Sequence, residues 1–286
     1  MIGFDEIINF DEIINKVPAS KDLVKVLKAF KKARETFVVE GGQLYLTLKN
    51  MDATLIIPTD IKAGTYSLKH FTTLGDLVED DAIASETSVP MPIPEGEPCP
   101  VSGLHEFTAY VSTESDHPNL QGILFDTENQ HLVATDGYRM LFKPADLTYG
   151  GVIPITSMEK FVKAYYIVDN LFVYIGDGFK IVGHVCVGNY PDWSGIVPKD
   201  TEGFQEVYLP GLEAIKRAKV EFRLSRQRDA VNSILMKEGD YEVHVNADYA
   251  ETLVKQGFTK ALQQNPNSAL LLNNGVFSAI LMPIRV

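Results

Sequence analysis

The sequence predicts an α+β protein in which antiparallel sheet predominates and three segments of similar length repeat one pattern of elements. Each third contains a glycine-bearing turn between two β-rich runs, at Gly41-Gly42, Asp177-Gly178 and Asn274-Gly275, as β-hairpins do. Each third also contains stretches whose apolar residues recur at helical spacing. At 286 residues, 45% of them apolar, the chain is long enough to bury more than one hydrophobic core.

Two breaks divide the chain. Five prolines between Pro90 and Pro100 favour an extended path and exclude a helix or a central strand there. Between Pro198 and Gly203, polar residues interrupt two regions of apolar pattern. The predicted domains are therefore 1–99, 100–203 and 204–286.

Helices are predicted where apolar residues repeat every three or four positions. In one of these stretches Thr156 and Glu159 have the spacing of a capping box, which favours a helix start. Each predicted domain receives two helices, and the six ranges are 19–34, 67–78, 101–113, 154–167, 208–228 and 246–262.

The stretch from Leu120 to Met140 pairs two strand-like runs around a polar turn and then places Thr135-Asp136-Gly137-Tyr138-Arg139 at a strand junction. Asp136 and Asp192 adjoin the turn-forming residues Gly137 and Pro191. Aspartate next to such residues more often caps a turn than serves catalysis. We therefore predict two turn aspartates rather than a catalytic carboxylate pair.

No motif for a cofactor, a metal or a catalytic nucleophile is recognised in the sequence. Cys99 and Cys186 show no spacing suited to zinc or to a disulfide framework, and the six histidines never pair at ligand spacing. No leader-like segment opens the chain, and no apolar run approaches the roughly 18 residues that span a bilayer. We expect a cytoplasmic protein that is not an enzyme and needs no cofactor.

Positive charge is concentrated in the predicted helices, although 26 basic and 38 acidic residues give the chain a net charge of −12. Helix-borne cations of this kind suit sequence-independent contacts with the phosphates of duplex DNA. Ordinary solvated helix faces are the alternative, and it stays open. The candidate DNA-binding residues lie on the first, fourth and fifth predicted helices and are Lys21, Lys25, Lys28, Lys32, Lys160, Lys163, Lys216, Lys219, Arg223 and Arg226.

Three motifs follow one another along the chain, LQGILFDTENQHLVATDGYRM, NYPDWSGIVP and AILMPIRV. Together they resemble the bacterial DNA polymerase III β subunit, the replicative sliding clamp. LQGILFDTENQHLVATDGYRM resembles the family's strand-turn-strand that ends in a Thr-Asp-Gly-His-Arg type motif, with Tyr138 where the family usually has His. NYPDWSGIVP resembles its Phe-Pro-Asp-Tyr segment, and AILMPIRV resembles its closing Val-Met-Pro-Met-Arg-Leu. The start of the family's last helix is similar to Asn246–Tyr249. The resemblance covers most of residues 101–203 and the end of the chain, whereas the first hundred residues match in pattern only.

The resemblance implies three clamp-like domains, each with antiparallel sheets outside and two helices inside, the third of them shortened. Two subunits would close head to tail into a ring around duplex DNA. It also implies a pocket between the second and third domains for short apolar and aromatic peptides. The pocket positions carried over are Leu120, Thr135, Gly137, Tyr138, Arg139, Met140, Pro191, Ile196, Asn246, Tyr249, Met282, Pro283, Ile284, Arg285 and Val286.

The expected function is that of a DNA polymerase processivity factor. Its expected partners are duplex DNA, a DNA polymerase, a clamp-loader ATPase and a second copy of the chain. A clamp-derived adaptor or competitor, which binds clamp-interacting proteins without encircling DNA, is one alternative. A metal-dependent hydrolase that uses Asp136 or Asp192 is another.

Overall fold

The computed structural model describes Leu27 and residues 36–48, 53–68, 93–114, 116–156, 159–225, 232–238 and 241–284. The chain folds into two compact units. The first takes its residues from Met1–His105 and Leu147–Cys186, and the second from Glu106–Asp146 and Val187–Val286.

Strands make up most of the described structure. Single 3-10 turns occur at Pro118–Leu120, Glu159–Phe161 and Ser194–Ile196. The helices are α1 (Leu104–Phe107), α2 (Leu212–Ser225) and α3 (Ala247–Lys255). The strands, in chain order, are β1 (Thr36–Glu40), β2 (Gln43–Leu48), β3 (Ala53–Pro58), β4 (Gly64–Ser67), β5 (Cys99–Pro100), β6 (Gly122–Asp126), β7 (His131–Thr135), β8 (Arg139–Pro144), β9 (Gly151–Pro154), β10 (Val162–Val168), β11 (Leu171–Gly176), β12 (Phe179–His184), β13 (Gln205–Tyr208), β14 (Ser233–Glu238), β15 (Tyr241–Asn246), β16 (Lys260–Gln263), β17 (Leu270–Asn273) and β18 (Ser278–Leu281).

The first unit is built on one antiparallel sheet with the order β4-β1-β2-β3-β12-β11-β10-β5. Buried residues such as Ile56, Val173 and Val182 form a core on this sheet. The predicted hairpin at Gly41-Gly42 is confirmed, with Glu40 opposite Gln43. Both glycines have positive φ, 57° and 75°, as the two central positions of a type I′ turn require.

Pairing of β3 with β12 joins strands that are distant in the sequence. Ile56 lies opposite Lys180, so one sheet contains strands from the predicted domains 1–99 and 100–203. Likewise β18 pairs with β8, which joins strands from the second and third predicted domains. The continuous sheets therefore extend across the predicted boundaries, and the three-domain division stays a prediction.

The second unit contains an antiparallel sheet in which seven strands follow the order β13-β16-β17-β18-β8-β7-β6. Strands β14 and β15 form a separate two-stranded sheet. Helices α2 and α3 also belong to this unit. The predicted strands around the polar turn of the Leu120 to Met140 stretch are confirmed as β6 and β7, and β8 begins at Arg139.

The predicted helix at 154–167 is wrong, because Glu159–Phe161 forms a single 3-10 turn and is followed by strand β10. In that strand Val162 and Ala164 are buried while Lys163 is exposed, which is strand alternation. The expected capping contact does form: the Thr156 hydroxyl donates to Glu159 Oε1 at 2.9 Å, and the Thr156 N–H donates to the same oxygen. This contact closes one turn only.

Other predicted helices differ from the structure mainly in length. The 208–228 prediction is confirmed in its centre by α2, whereas α1 is much shorter than the predicted 101–113. Helix α3 ends at Lys255, because the chain continues through Gly257, φ 86°, into β16 rather than to residue 262. Leu27 is helical and buried, and the rest of 19–34 lies outside the described residues. So does most of 67–78, where Ser67 ends β4.

The two other hairpins are also confirmed, but their turns are not type I′. At Asp177-Gly178 only the glycine has positive φ, 70°. At Asn274-Gly275 the loop is longer, since the Asn274 N–H donates to the Phe277 carbonyl and Gly275 alone has positive φ, 88°. Among the described residues, no helix is long and apolar enough to cross a membrane.

Candidate peptide-binding site

The candidate site lies in the second unit, where β8 begins and β18 ends. These two strands pair with Ile280 opposite Met140 and Leu281 opposite Arg139. Beyond β18 the Met282 N–H donates to the Tyr138 carbonyl at 2.9 Å. The C-terminal segment therefore runs beside the turn that precedes β8.

The local sequence Thr-Asp-Gly-Tyr-Arg builds that turn from its own side chains. The Thr135 hydroxyl donates to the Arg139 carbonyl at 2.7 Å and accepts the Gly137 N–H at 3.1 Å. Asp136 Oδ1 accepts the N–H groups of Tyr138 and Arg139, both at 3.0 Å. Gly137 has φ 89°, which a residue with Cβ rarely adopts. The turn aspartate prediction is confirmed here, and the turn presents the Tyr138 ring, which is 62% exposed.

Arg139 is held by hydrogen bonds and by contacts with two aromatic rings. Its Nε donates to Asp136 Oδ2 at 3.0 Å, and a second guanidinium nitrogen donates to the Ala109 carbonyl. The rings of Tyr110 and Tyr249 lie 4.9 and 4.0 Å from the guanidinium carbon, within the range of cation–π contact. Burial raises the pKa of Tyr110 well above its ordinary value. Tyr110 therefore stays neutral beside the cation.

An apolar pocket opens beside this turn. Its floor includes the buried side chains of Met140 and Trp193, whereas its rim carries exposed apolar groups, with Ile196 52% and Met282 41% exposed. Such exposed apolar groups around a concave surface are typical of a ligand-binding site. The apolar pocket is lined by Thr135, Gly137, Tyr138, Arg139, Met140, Pro191, Trp193, Ile196, Ile280 and Met282.

Of the remaining predicted positions, those that the structure describes do not line this pocket. Leu120 is buried in its 3-10 turn. Asn246 caps α3 by accepting the N–H groups of Asp248 and Tyr249. Pro283 follows the pocket, and the Ile284 N–H donates to the His244 carbonyl at 2.7 Å. The last two predicted positions, Arg285 and Val286, lie outside the described residues.

Trp193 and Ile280 are pocket residues that the sequence analysis missed. Trp193 is the only tryptophan of the chain, and its position in the Asn-Tyr-Pro-Asp-Trp segment was the available signal. Its indole N–H donates to Asp126 Oδ2 at 2.7 Å, and its ring lies 5.2 Å from that of His131. Hydrogen bonds from Asn129, Trp193 and the backbone outweigh the effect of burial, so the pKa of Asp126 lies below its ordinary value.

A second cavity, of about 300 Å³, lies against the same turn, and we call it the polar cavity because most of its lining residues have polar side chains. Tyr138 and Arg139 line both spaces and thus form a shared wall. The polar cavity is lined by Thr108, Ala109, Val111, Ser112, Thr113, Glu114, Asp136, Tyr138, Arg139 and Tyr249.

The described part of the chain gives little support for a catalytic or metal-binding site. Asp192 accepts hydrogen bonds from the Ser194 hydroxyl and the Gly195 N–H, as a turn aspartate does. No group of three or more His, Cys, Asp and Glu side chains within the described ranges is placed to hold a metal. Burial raises the pKa of the Cys186 thiol to about 11, so this thiol is protonated at neutral pH.

The candidate DNA-binding residues of the second unit lie on α2. Lys216 and Arg223 are exposed, and Lys216 Nζ lies 2.9 Å from Glu213 Oε1. Lys219 instead faces α3, where it pairs with Asp248 at 2.5 Å and with Glu251. Its charge is therefore largely neutralised.

In the first unit, Lys160 is exposed in the 3-10 turn and Lys163 is exposed on β10, where it pairs with Asp177 at 2.7 Å. These two lysines are thus not on a helix. The other candidates lie outside the described residues and are Lys21, Lys25, Lys28, Lys32 and Arg226.

Solved structures share this architecture. A DNA polymerase III subunit β sliding clamp from Bartonella birtlesii, bound to griselimycin, matches with a TM-score of 0.71 at 14% identity, over 93% of this chain and 98% of that one. A Bacillus subtilis DNA polymerase sliding clamp matches with a TM-score of 0.68 at 15% identity, over 93% and 98%. For a Helicobacter pylori β clamp bound to a DNA ligase peptide, the TM-score is 0.64 at 18% identity, over 93% and 99%.

Neither a protein-family model nor a curated protein sequence matches the chain. The likeness is therefore one of structure, and it extends over nearly the whole length of each chain compared. The α+β fold expected from the sequence is the fold of these proteins. The chain has the sliding-clamp fold of the bacterial DNA polymerase III β subunit.

Proposed function

We propose that the chain is a DNA polymerase processivity factor, a sliding clamp that encircles duplex DNA and tethers replication proteins through the apolar pocket. The observation that carries this proposal is an apolar pocket with exposed rim residues, Tyr138, Ile196 and Met282, within a sliding-clamp fold. One protein of this fold is bound to a DNA ligase peptide and another to griselimycin, so the fold can accommodate a bound peptide.

The chemistry of the pocket suits a short apolar and aromatic peptide. Met140 and Met282 are flexible and polarizable, and adapt to different side chains. Trp193 and Pro191 are rigid, so they lose little entropy when a ligand binds. The Thr135 to Arg139 turn is fixed by its own hydrogen bonds, which makes this wall of the pocket preorganised.

Contacts of the proposed clamp with DNA would depend on charge. A ring holds DNA by topology, so phosphate contacts from residues such as Lys216 and Arg223 need only be weak and independent of sequence. We propose a head-to-tail homodimeric ring, opened by a partner ATPase and with no cofactor or catalytic activity of its own. Cys99 and Cys186 form no disulfide bond, which suits a reducing cytoplasm.

Peptide binding can be measured directly because Trp193 is the only tryptophan and lines the pocket. Titration with a short peptide that carries a leucine-phenylalanine pair is expected to change the tryptophan fluorescence in a saturable way. A matched peptide with both residues replaced by alanine is the control. Unchanged fluorescence and no binding by calorimetry would reject the pocket.

Encirclement can be tested without a loading enzyme. Linear duplex DNA is incubated with the protein, its ends are ligated, and the circles are isolated at high salt, where phosphate contacts are screened. The protein is expected to remain with the circles and to be released when a restriction enzyme cuts them. Linear DNA that was never ligated should retain no protein. If the protein binds the peptide but is not retained on circular DNA, the sliding-ring function is excluded and the adaptor function is favoured.

A further inference from the structure

The polar cavity adjoins the proposed peptide site. Tyr138 and Arg139 line both spaces, so residues that flank the anchor of a bound peptide lie within reach of the polar cavity. The polar cavity of about 300 Å³ is large enough for one long side chain.

The charge of Arg139 is already paired within the protein. Two of its nitrogens donate to Asp136 and to the Ala109 carbonyl, and the rings of Tyr110 and Tyr249 lie within cation–π distance. Its positive charge is offset by Asp136, whose oxygens already accept two backbone N–H groups and the Arg139 Nε. The pair contributes no net charge.

Glu114 supplies the remaining charge. Its backbone is fixed, because its N–H donates to the Ser112 hydroxyl at 3.1 Å and its carbonyl accepts from Gln121 Nε2 at 2.7 Å. Its carboxylate makes no hydrogen bond or ion pair with any residue that the structure describes. Among the described residues that line the cavity, Glu114 is therefore the one charged group without a partner.

The aromatic wall complements that charge. The Tyr138 ring is 62% exposed and borders the same cavity as Glu114. An exposed tyrosine ring and an unpaired carboxylate both attract a cation, the ring through its π electrons and the carboxylate through its charge. A net charge of −12 for the whole chain favours a basic partner segment as well.

We infer that the polar cavity binds a lysine or arginine side chain that flanks the apolar anchor of a partner peptide, through Glu114 and Tyr138. This inference deepens the proposed function and rests on it. The cation is a specificity element: it adds to an affinity that the apolar pocket supplies and selects among peptides with the same anchor.

The experiment compares peptides that share one apolar anchor and carry lysine, norleucine or glutamate at one flanking position, scanned on both sides. Norleucine keeps the aliphatic chain of lysine and removes its charge. At low salt the lysine peptide is expected to bind about five-fold more tightly than the norleucine peptide at one position, as an exposed ion pair with a cation–π contact provides. The difference should shrink in 0.5 M salt.

Two substitutions identify the group responsible. Glu114→Gln is expected to remove the preference for lysine, and Glu114→Lys to reverse it in favour of the glutamate peptide. Glu128→Gln is the matched control, because Glu128 is an exposed carboxylate of the same unit outside the cavity. It should leave the preference intact.

The outcomes separate the two proposals. Equal binding of the lysine and norleucine peptides at every position, or a preference that survives Glu114→Gln, would overturn the cation site while the apolar pocket stands. Failure of all peptides to bind would overturn the proposed function and the cation site together.

Discussion

Asp126 determines how Trp193 is placed in the pocket, although Asp126 does not line it. The 2.7 Å hydrogen bond from the indole N–H joins the pocket to the β6–β7 turn, where Asp126 also accepts the N–H groups of Glu128 and Asn129. A hydrogen bond to a charged group contributes about 1.5–3 kcal/mol, more than a neutral one. The position of the indole therefore depends on this carboxylate.

Replacement of Asp126 by alanine is expected to lower peptide affinity about ten-fold, or about 1.4 kcal/mol, because the indole loses its acceptor. Asp126→Asn keeps an uncharged acceptor and should have a smaller effect. Fluorescence titration gives the affinity, and the emission maximum of Trp193 should shift in the alanine variant before peptide is added. Glu128→Gln, in the same turn, is the control. An unshifted spectrum with unchanged affinity would contradict the positioning role.

For single residues, the sequence was informative where the interactions join residues that are close together in the chain. Asp136 beside Gly137 predicts a turn, and the hydrogen bonds of that turn lie within five consecutive residues. Trp193 and Ile280 could not be placed in the same way. They reach the pocket through the pairing of β18 with β8 and the hydrogen bond to Asp126, contacts between residues far apart in the chain.

Among the elements, strand β10 shows why a helix was predicted wrongly. Phe161, Val162 and Tyr165 fit a helical stripe, but Val162, Ala164 and Tyr166 also fit a strand face, and all three are buried. A short apolar stretch rich in β-branched and aromatic residues satisfies both periods, and tertiary pairing decides between them. Here β11 pairs with β10 from Val162 to Val168, with one register shift between Val162 and Ala164, and stabilises the strand.

Helices α2 and α3 are joined by an ion-pair network centred on Glu251. Its carboxylate lies 2.6 Å from Lys255 Nζ and also pairs with Lys219, which lowers its pKa from the ordinary value of 4.5 to about 2. Because the pKa is lower in the folded chain, the network stabilises the fold above pH 4.5. That contribution is lost as the pH falls towards 2.

Glu251→Gln is therefore expected to lower the free energy of unfolding at pH 7 by roughly 1 kcal/mol, near the upper end for partly exposed pairs. The difference from the parent chain should disappear between pH 4.5 and 2. Urea unfolding across this range measures both. Glu213→Gln is the control, since Glu213 is 83% exposed and pairs only within α2. A destabilisation that does not depend on pH would show that packing, not charge, is responsible.

The segment after β18 belongs to the site more than to the core. Within its described residues 282–284, the Met282 N–H donates to the Tyr138 carbonyl and the Ile284 N–H to the His244 carbonyl, and Met282 lines the pocket. Removal of residues 282–286 is expected to reduce peptide affinity more than ten-fold while thermal unfolding stays cooperative. Met282→Ala should reduce peptide affinity by a smaller factor. Peptide affinity equal to that of the full chain would exclude this segment from the site.

For the whole molecule, the sequence predicted the alternation of sheet and helix better than the way the strands assemble. The hairpins were recognisable because their strands are neighbours in sequence and their turns contain glycine. The pairing of Ile56 with Lys180 and of Ile280 with Met140 connects residues more than a hundred positions apart. No local pattern specifies such a partner, so the extent of each sheet could not be predicted.

The exposed cations on α2 are expected to contribute to DNA binding. Replacing both Lys216 and Arg223 by glutamate is expected to weaken binding to short linear duplex DNA several-fold and to flatten its salt dependence, since each lost phosphate contact reduces the slope by about 0.9. Lys237 and Lys260 are the matched controls, because both are exposed on strands of the same unit and their replacement by glutamate gives the same net charge. Fluorescence anisotropy at several salt concentrations measures both variants. If the two variants lose affinity equally, the effect comes from total charge and α2 has no special part in holding DNA.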